Sequence, residues 1–205
     1  MEKLTIRINF TEDILGSWPA DPDVLTRFVS QKAPSPWLEM EEGDALPKRT
    51  QDSGFTVFPQ DEHGIFLWNY HIKGFLKEAG NVLREHVGIK NLRSKVDNHI
   101  FVSPRKLYLH RGNNGKAGRI LEPDDVLERP LRAQTAQGPR ITLVGSERVF
   151  APCYLDATIE TIPHKEFGIS LVKDLLEYGK YKGIGQWRNA SWGVFTWEQR
   201  NGKAQ

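Results

Sequence analysis

The sequence predicts an α+β fold built on an antiparallel sheet, and three observations carry that prediction. Segments near both ends alternate apolar and polar residues with the period of two that marks half-buried strands. Two further segments repeat apolar residues at helical spacing. The two kinds follow one another as strand, helix, strand, strand, helix, strand, with turn-rich insertions between them.

Leu4, Ile6, Ile8 and Phe10 alternate with Lys3, Thr5, Arg7 and Asn9, so residues 3 to 10 form the first strand. Residues 11 to about 63 read as an irregular insertion, because SWPADPD, KAPSPW and EMEEGD concentrate Pro, Ser and acidic side chains. A short helix over residues 22 to 31 is expected within it, capped by Asp21 and with proline in its first turn. The run Glu39, Glu41, Glu42 and Asp44 reads as a solvated acidic loop.

The pattern then turns helical. Ile72, Phe75, Leu76, Ala79, Val82 and Leu83 form one apolar stripe, while Lys73, Lys77 and Arg84 form a basic ridge on a different face. Gly74 and Gly80 are expected to allow close approach at some cost in helix propensity. Ile100, Val102, Leu107 and Leu109 mark strand-like material around Pro104, a breaker or edge residue. That material lies in the densest basic region of the chain, with Lys90, Arg93, Lys95, Arg105, Lys106, His110 and Arg111.

NNGKAG, residues 113 to 118, predicts a hairpin tip. LERPLRAQTAQGPR, residues 127 to 140, carries Arg129, Arg132 and Arg140 without a clean period and reads as a loop crossing the surface. Ile141, Leu143 and Val149, then Leu155, Ala157 and Ile159, predict two more strands. Phe167, Leu171, Val172, Leu175 and Leu176 predict a second helix, ended by Gly179 in a left-handed cap. A last strand runs from about residue 193 to 199. The whole is a single ferredoxin-like (RRM-like) domain over residues 1 to 205, with helices on one face of the sheet, inserted loops and hairpins, and a glycine-rich loop before the final strand.

With 205 residues, 39% hydrophobic and 26% charged, the chain suits one substantial core. The apolar runs are short and MEKLTIRINF is a strand pattern rather than a signal peptide, so a cytoplasmic location without a membrane partner is expected. Cys153 is the one cysteine, which excludes an internal disulfide framework and a cysteine zinc cluster and leaves a buried, inert thiol as the expectation. Net charge is +2, but residues 1 to 70 hold 6 Lys/Arg against 12 Asp/Glu while residues 71 to 205 hold 22 against 14. The basic surplus therefore belongs to the part that carries the glycine loop.

That loop lies in YGKYKGIGQWRNASWGVFTW, residues 178 to 197. Gly179, Gly183, Gly185 and Gly193 interleave with Lys180, Lys182, Arg188, Trp187 and Trp192. Glycine permits close backbone approach, cations neutralise phosphates, and aromatic or guanidinium planes stack on unpaired bases. The combination predicts a flexible basic clasp for a polyanion, sharing one groove with the basic helix and the arginine loop. Lys73, Lys77, Arg84, Arg93, Lys95, Arg105, Lys106, Arg132, Lys180, Lys182, Gln186, Trp187, Arg188 and Asn189 are the nucleic-acid-binding candidates.

Catalytic signals are sparse. None of the six histidines, His63, His71, His86, His99, His110 and His164, stands at metal-ligand spacing, so no metal is expected. His71, near the start of the first helix, is the one candidate acid or base. Asp124 and Asp125 adjoin on a turn and point apart, and no P-loop, dinucleotide fingerprint or nucleophile elbow is present, so no cofactor is expected.

The segment Gly183, Gly185, Gln186, Trp187, Arg188, Asn189, Ala190, Ser191, Trp192, Gly193 resembles the glycine-rich loop of the RAMP superfamily, which includes CRISPR effector backbone subunits and guide-RNA-processing ribonucleases. Ile72, Lys73, Gly74, Phe75, Leu76 and Lys77 are similar to the opening of the first helix in backbone subunits, without the serine usual there. IKGFLKEA, LERPLRAQTAQGPR and GQWRN are also similar to segments of small prophage proteins. What the resemblance implies is a non-enzymatic protein of RAMP type that binds RNA or another single-stranded nucleic acid, or belongs to a ribonucleoprotein complex of phage or host. The alternatives are a phage protein that binds or mimics subunits of a host CRISPR or other defence complex, and a metal-independent endoribonuclease.

Overall fold

The computed structural model describes residues 1–21, 23, 54–112, 118–135, 138–162, 164–166 and 168–200. The acidic run Glu39 to Asp44, most of the helix expected over residues 22 to 31, most of the NNGKAG turn and Phe167 lie outside them.

The chain opens with β1 (Glu2–Phe10), β2 (Ile14–Leu15) and β3 (Trp18–Pro19). Strands β4 (Phe55–Val57), β5 (Gln60–Asp61) and β6 (Gly64–Trp68) lead into helices α1 (Asn69–Val82), α2 (Arg84–Val87) and α3 (Leu92–His99). Next come β7 (Ile100–Ser103), β8 (Lys106–Tyr108), β9 (His110–Arg111), β10 (Gly118–Arg119), and the long strands β11 (Asp125–Thr135) and β12 (Gly138–Val149). The chain closes with β13 (Cys153–Thr161), α4 (Ile169–Glu177) and β14 (Phe195–Gln199).

The fold is mixed α and β with mainly antiparallel sheets. In the principal sheet β1 lies between β13 and β14, and β13 pairs on its other side with β7, giving the order β14-β1-β13-β7 with every pair antiparallel. Strand alternation then dictates the core, since Leu4, Ile6, Ile8 and Phe10 share one face with Leu155, Ala157 and Ile159 of β13. Against that face pack Ile72, Phe75, Leu76 and Ala79 of α1 and Leu171, Val172, Leu175 and Leu176 of α4, in one continuous apolar cluster. Gly80 lets α3 approach α1: a Cβ there would lie 3.3 Å from Val96 Cγ2 and 3.4 Å from Leu92 Cγ. Gly74 has no such role, since a Cβ on it would meet nothing within 4 Å.

Three expectations are corrected. Residues 127–135 and 138–140 are not a loop: they lie in β11 and β12, paired in unbroken register from Asp125↔Arg148 to Thr135↔Gly138. Pro130 is tolerated because β11 is the edge of its sheet. Residues 92 to 99, read from the sequence only as part of the dense basic region, form a helix. Gly179 is not a left-handed cap; α4 runs on through a 3₁₀ turn, Tyr178–Lys180, and Gly179 is small because a Cβ would lie 2.4 Å from the Phe195 ring.

The β11–β12 hairpin also anchors part of the early insertion. β12 pairs with β2 and, in parallel, with β4, and β3 pairs with β4. Thr56 donates its hydroxyl to Ser146 Oγ at 2.9 Å, and the buried Ser146 donates in turn to the Gly16 carbonyl at 2.8 Å. Trp18, Ala20, Val57, Phe66 and Trp68 form a second, smaller apolar cluster. Among the described residues no helix is long and apolar enough to cross a membrane.

Candidate nucleic-acid interface

The outer face of the principal sheet is charge-balanced. Arg7 is held by Asp156 through two bonds of 2.8 and 2.9 Å and lies 3.8 Å over the Tyr154 ring, while Lys3 pairs with Glu160 at 2.7 Å. Among the described residues, two concave surfaces with polar linings lie on the flanks of α1.

On one flank Lys77, Asn81 and Arg84 face Asn91, Arg93, Ser94 and Asp97 across a depression of about 430 Å³. Helical geometry puts residues 77 and 81 on one side of α1, Arg84 at the start of α2 continues that side, and α3 brings Arg93 and Asp97 to meet them. Lys77 donates to Asp97 Oδ2 at 2.9 Å, and that bond holds the Asp97 carboxyl below the usual carboxylate range. Arg84 lies 3.6 Å from Glu85 in an exposed, weak pair. Among the described residues Arg93 has no ion-pair partner within 4 Å. The depression therefore holds three cations and one carboxylate.

On the other flank His71, Gly74 and Glu78, spaced three and four apart, face Ser17, Ile184, Gly185 and Arg188 across a pocket of about 250 Å³. Arg188 Nη1 donates to Glu78 Oε2 at 2.6 Å, and Lys182 Nζ lies 3.3 Å from Glu78 Oε1. Lys182 also donates to Asn189 Oδ1. His71 Nδ1 is buried with no hydrogen-bond partner among the described residues. Burial, with the nearby Arg188 charge, pushes the His71 pKa down to about 4, so the ring is neutral at neutral pH.

These two depressions have no lining residue in common, and Trp187 lines neither of them. The glycine segment is also not a flexible clasp. Gly183 is pressed against the Trp192 carbonyl, Gly193 against that of Ile184 and Gly185 against that of Leu15, where added Cβ atoms would sit 2.0, 2.0 and 2.6 Å away. Ile184 N–H donates to Gly193 O at 3.0 Å and Gln186 N–H to Leu15 O at 3.2 Å. These glycines admit the protein's own backbone rather than a ligand.

Several of the remaining candidate cations have structural partners. Lys73 donates to the carbonyls of Asp97, at 2.8 Å, and Ile100, where it satisfies the C-terminal end of α3. Lys95 pairs with Glu166 and Lys180 with Glu177. Lys106 lies 3.0 Å from Asp61, and Arg105 lies 4.8 Å over the Trp68 ring. Arg132 is exposed on β11. Trp187, half-buried, is covered on one face by Arg129 of the same strand, whose Cζ lies 3.5 Å from the ring centre.

Sequence reasoning missed Glu78, Asn81 and Asn91. Glu78 had a legible signal, since it follows His71 and Gly74 along one helix flank; Asn91 had none, because its role depends on where α3 packs. Among the described residues no group of three His, Cys, Asp or Glu side chains could hold a metal ion.

No family model matches the sequence, and no curated protein matches it. A chain of the solved structure "Cryo-EM structure of the Type III-B Cmr-beta bound to cognate target RNA" is similar at a TM-score of 0.44 and 9% identity, over 98% of this chain. This chain spans 60% of the length of that one.

Proposed function

We propose that this chain binds single-stranded nucleic acid, RNA foremost, as a non-enzymatic domain of RAMP type with a ferredoxin-like core. The core reading is supported by the strand order β14-β1-β13-β7, antiparallel throughout, with α1 and α4 on one face of the sheet. The binding reading is carried by the depression between α1 and α3, where Lys77, Arg84 and Arg93 gather around Asp97. Cations collected on one concave surface neutralise backbone phosphates and release counterions. Asn81, Asn91 and Ser94 add hydrogen-bonding groups for phosphate or sugar oxygens. Fluorescence anisotropy with a labelled uridine strand tests this: binding at low salt that weakens steeply as salt rises is expected. Absence of affinity for any single strand at low salt removes the reading.

A second reading, metal-independent RNA cleavage, has one observation in its favour, the unpartnered Nδ1 of His71 in a pocket beside Arg188. A ring with a pKa of about 4 is a weak base at neutral pH, which places this reading second. Strand cleavage that disappears in His71→Ala is the result that would promote it.

A further inference from the structure

The pocket on the Glu78 flank of α1 has a different character from the cationic depression. At about 250 Å³ it is smaller than the roughly 300–1,000 Å³ of sites for drug-sized ligands, a volume suited to one planar group. Its wall sets a guanidinium beside a carboxylate, through the 2.6 Å bond from Arg188 Nη1 to Glu78 Oε2. Such a pair offers donors next to acceptors, which reads a hydrogen-bonding edge rather than simply trapping an anion.

Tyr70 stands at the pocket, 36% exposed, with its ring 4.9 Å from that of His71 and nearly perpendicular to it. The same ring is stacked on Trp68, centroid to centroid 6.2 Å and 15° from parallel, so it forms a fixed aromatic wall of the pocket. Gly74 contributes open space: a Cβ there meets nothing within 4 Å, so no packing contact requires a glycine in the middle of the helix. The missing side chain costs helix propensity and leaves the exposed Gly74 edge of the pocket clear.

We propose that this pocket receives one unpaired guanine base of the bound strand, with Glu78 accepting from its N1–H and N2–H₂ groups and Arg188 donating to O6 or N7. Guanine is selected because its Watson–Crick edge sets two neighbouring donors beside a carbonyl. Adenine and cytosine each present one donor group there, and uracil presents one N–H between two carbonyls. Arginine is likewise the common partner of guanine O6 and N7. The proposal rests on the strand-binding reading above and adds a base preference to it.

The test compares anisotropy titrations of the full chain at one fixed salt concentration, using a uridine strand with a single central guanine, inosine, adenine or cytosine. The guanine strand is expected to bind about tenfold more tightly than the adenine and cytosine strands, the order of discrimination one bidentate base contact gives. Inosine, which lacks the N2 amino group, is expected to recover part of that advantage. In Glu78→Gln, and separately in Gly74→Leu, the guanine-to-adenine ratio should fall to about one. Equal affinity for all the strands, with salt-sensitive binding intact, overturns the guanine pocket and leaves strand binding standing. Failure to bind any strand overturns both.

Discussion

The Arg129 guanidinium lies 3.5 Å from the centre of the Trp187 ring and so ties the middle of β11 to the glycine segment. Trp187 holds a φ of 52°, a left-handed conformation that a bulky residue adopts at a cost, and the cation stacked on its ring helps to hold it there. Arg129→Ala is expected to lower stability by about 1 kcal/mol and to shift the tryptophan emission. Urea unfolding followed by fluorescence checks both, and an unchanged midpoint and spectrum would show that the stack contributes nothing.

The glycines divide into two kinds with opposite mutational signs. At Gly183 a Cβ would lie 2.0 Å from the Trp192 carbonyl oxygen, backbone that cannot turn aside, so Gly183→Ala should cost at least about 2 kcal/mol. At Gly74 a Cβ enters open space within a regular helix, so Gly74→Ala should add up to about 1 kcal/mol. Thermal melting separates the cases, with Gly183→Ala melting below the unaltered chain and Gly74→Ala above it. Equal shifts of one sign would contradict the packing described for the loop.

His71 makes stability depend on pH in a defined window. Its folded pKa is depressed to about 4 from the ordinary 6.5, so between those values the unfolded chain takes up a proton that the folded chain refuses. Stability is therefore full above about pH 6.5 and falls as pH drops toward 4, by up to about 3 kcal/mol. Asp124, held below the carboxylate range by Arg111, and Glu177, held there by Lys180, lose their contributions at lower pH still. Urea midpoints at pH 5 and pH 7 should differ, and His71→Gln should remove most of the difference. A residual slope is expected from His110, which burial also holds below its ordinary value.

How much of this could be read in advance depends on how each segment is buried. Strands β1 and β13 and the stripe of α1 bury one face and expose the other, so their periods survive in the sequence. In the β11–β12 hairpin Ile141 is 73% and Leu143 52% exposed, so apolar side chains there face outward, and LERPLRAQTAQGPR before them carried no clean period. Helix α3 places just Leu92 and Val96 in the core, too few to mark a helical stripe. The glycine segment misled for another reason: what its glycines admit is the backbone of Leu15, Ile184 and Trp192, and only the folded chain brings residue 15 to residue 185. The basic ridge was legible as charge, but the carboxylate that neutralises Lys77 comes from a different helix.

That carboxylate allows a prediction in both directions. Within the depression Lys77 is occupied by Asp97, whereas Arg93 has no carboxylate within 4 Å among the described residues. If a strand lies there, Arg93→Ala should weaken binding and reduce the slope of log affinity against log salt by about 0.7, the value for one phosphate contact on a single strand. Asp97→Asn should strengthen binding, because it releases Lys77 and removes the one negative charge facing the phosphates. The Asp97 carbonyl that accepts from Lys73 is unaffected by this change, so the C-terminal end of α3 stays satisfied. Lys95→Ala should leave the slope near its original value, since Lys95 is committed to Glu166. Titrations of the three variants across a salt series check all of this, and a strand that binds Arg93→Ala with unchanged slope lies on some other surface of the molecule.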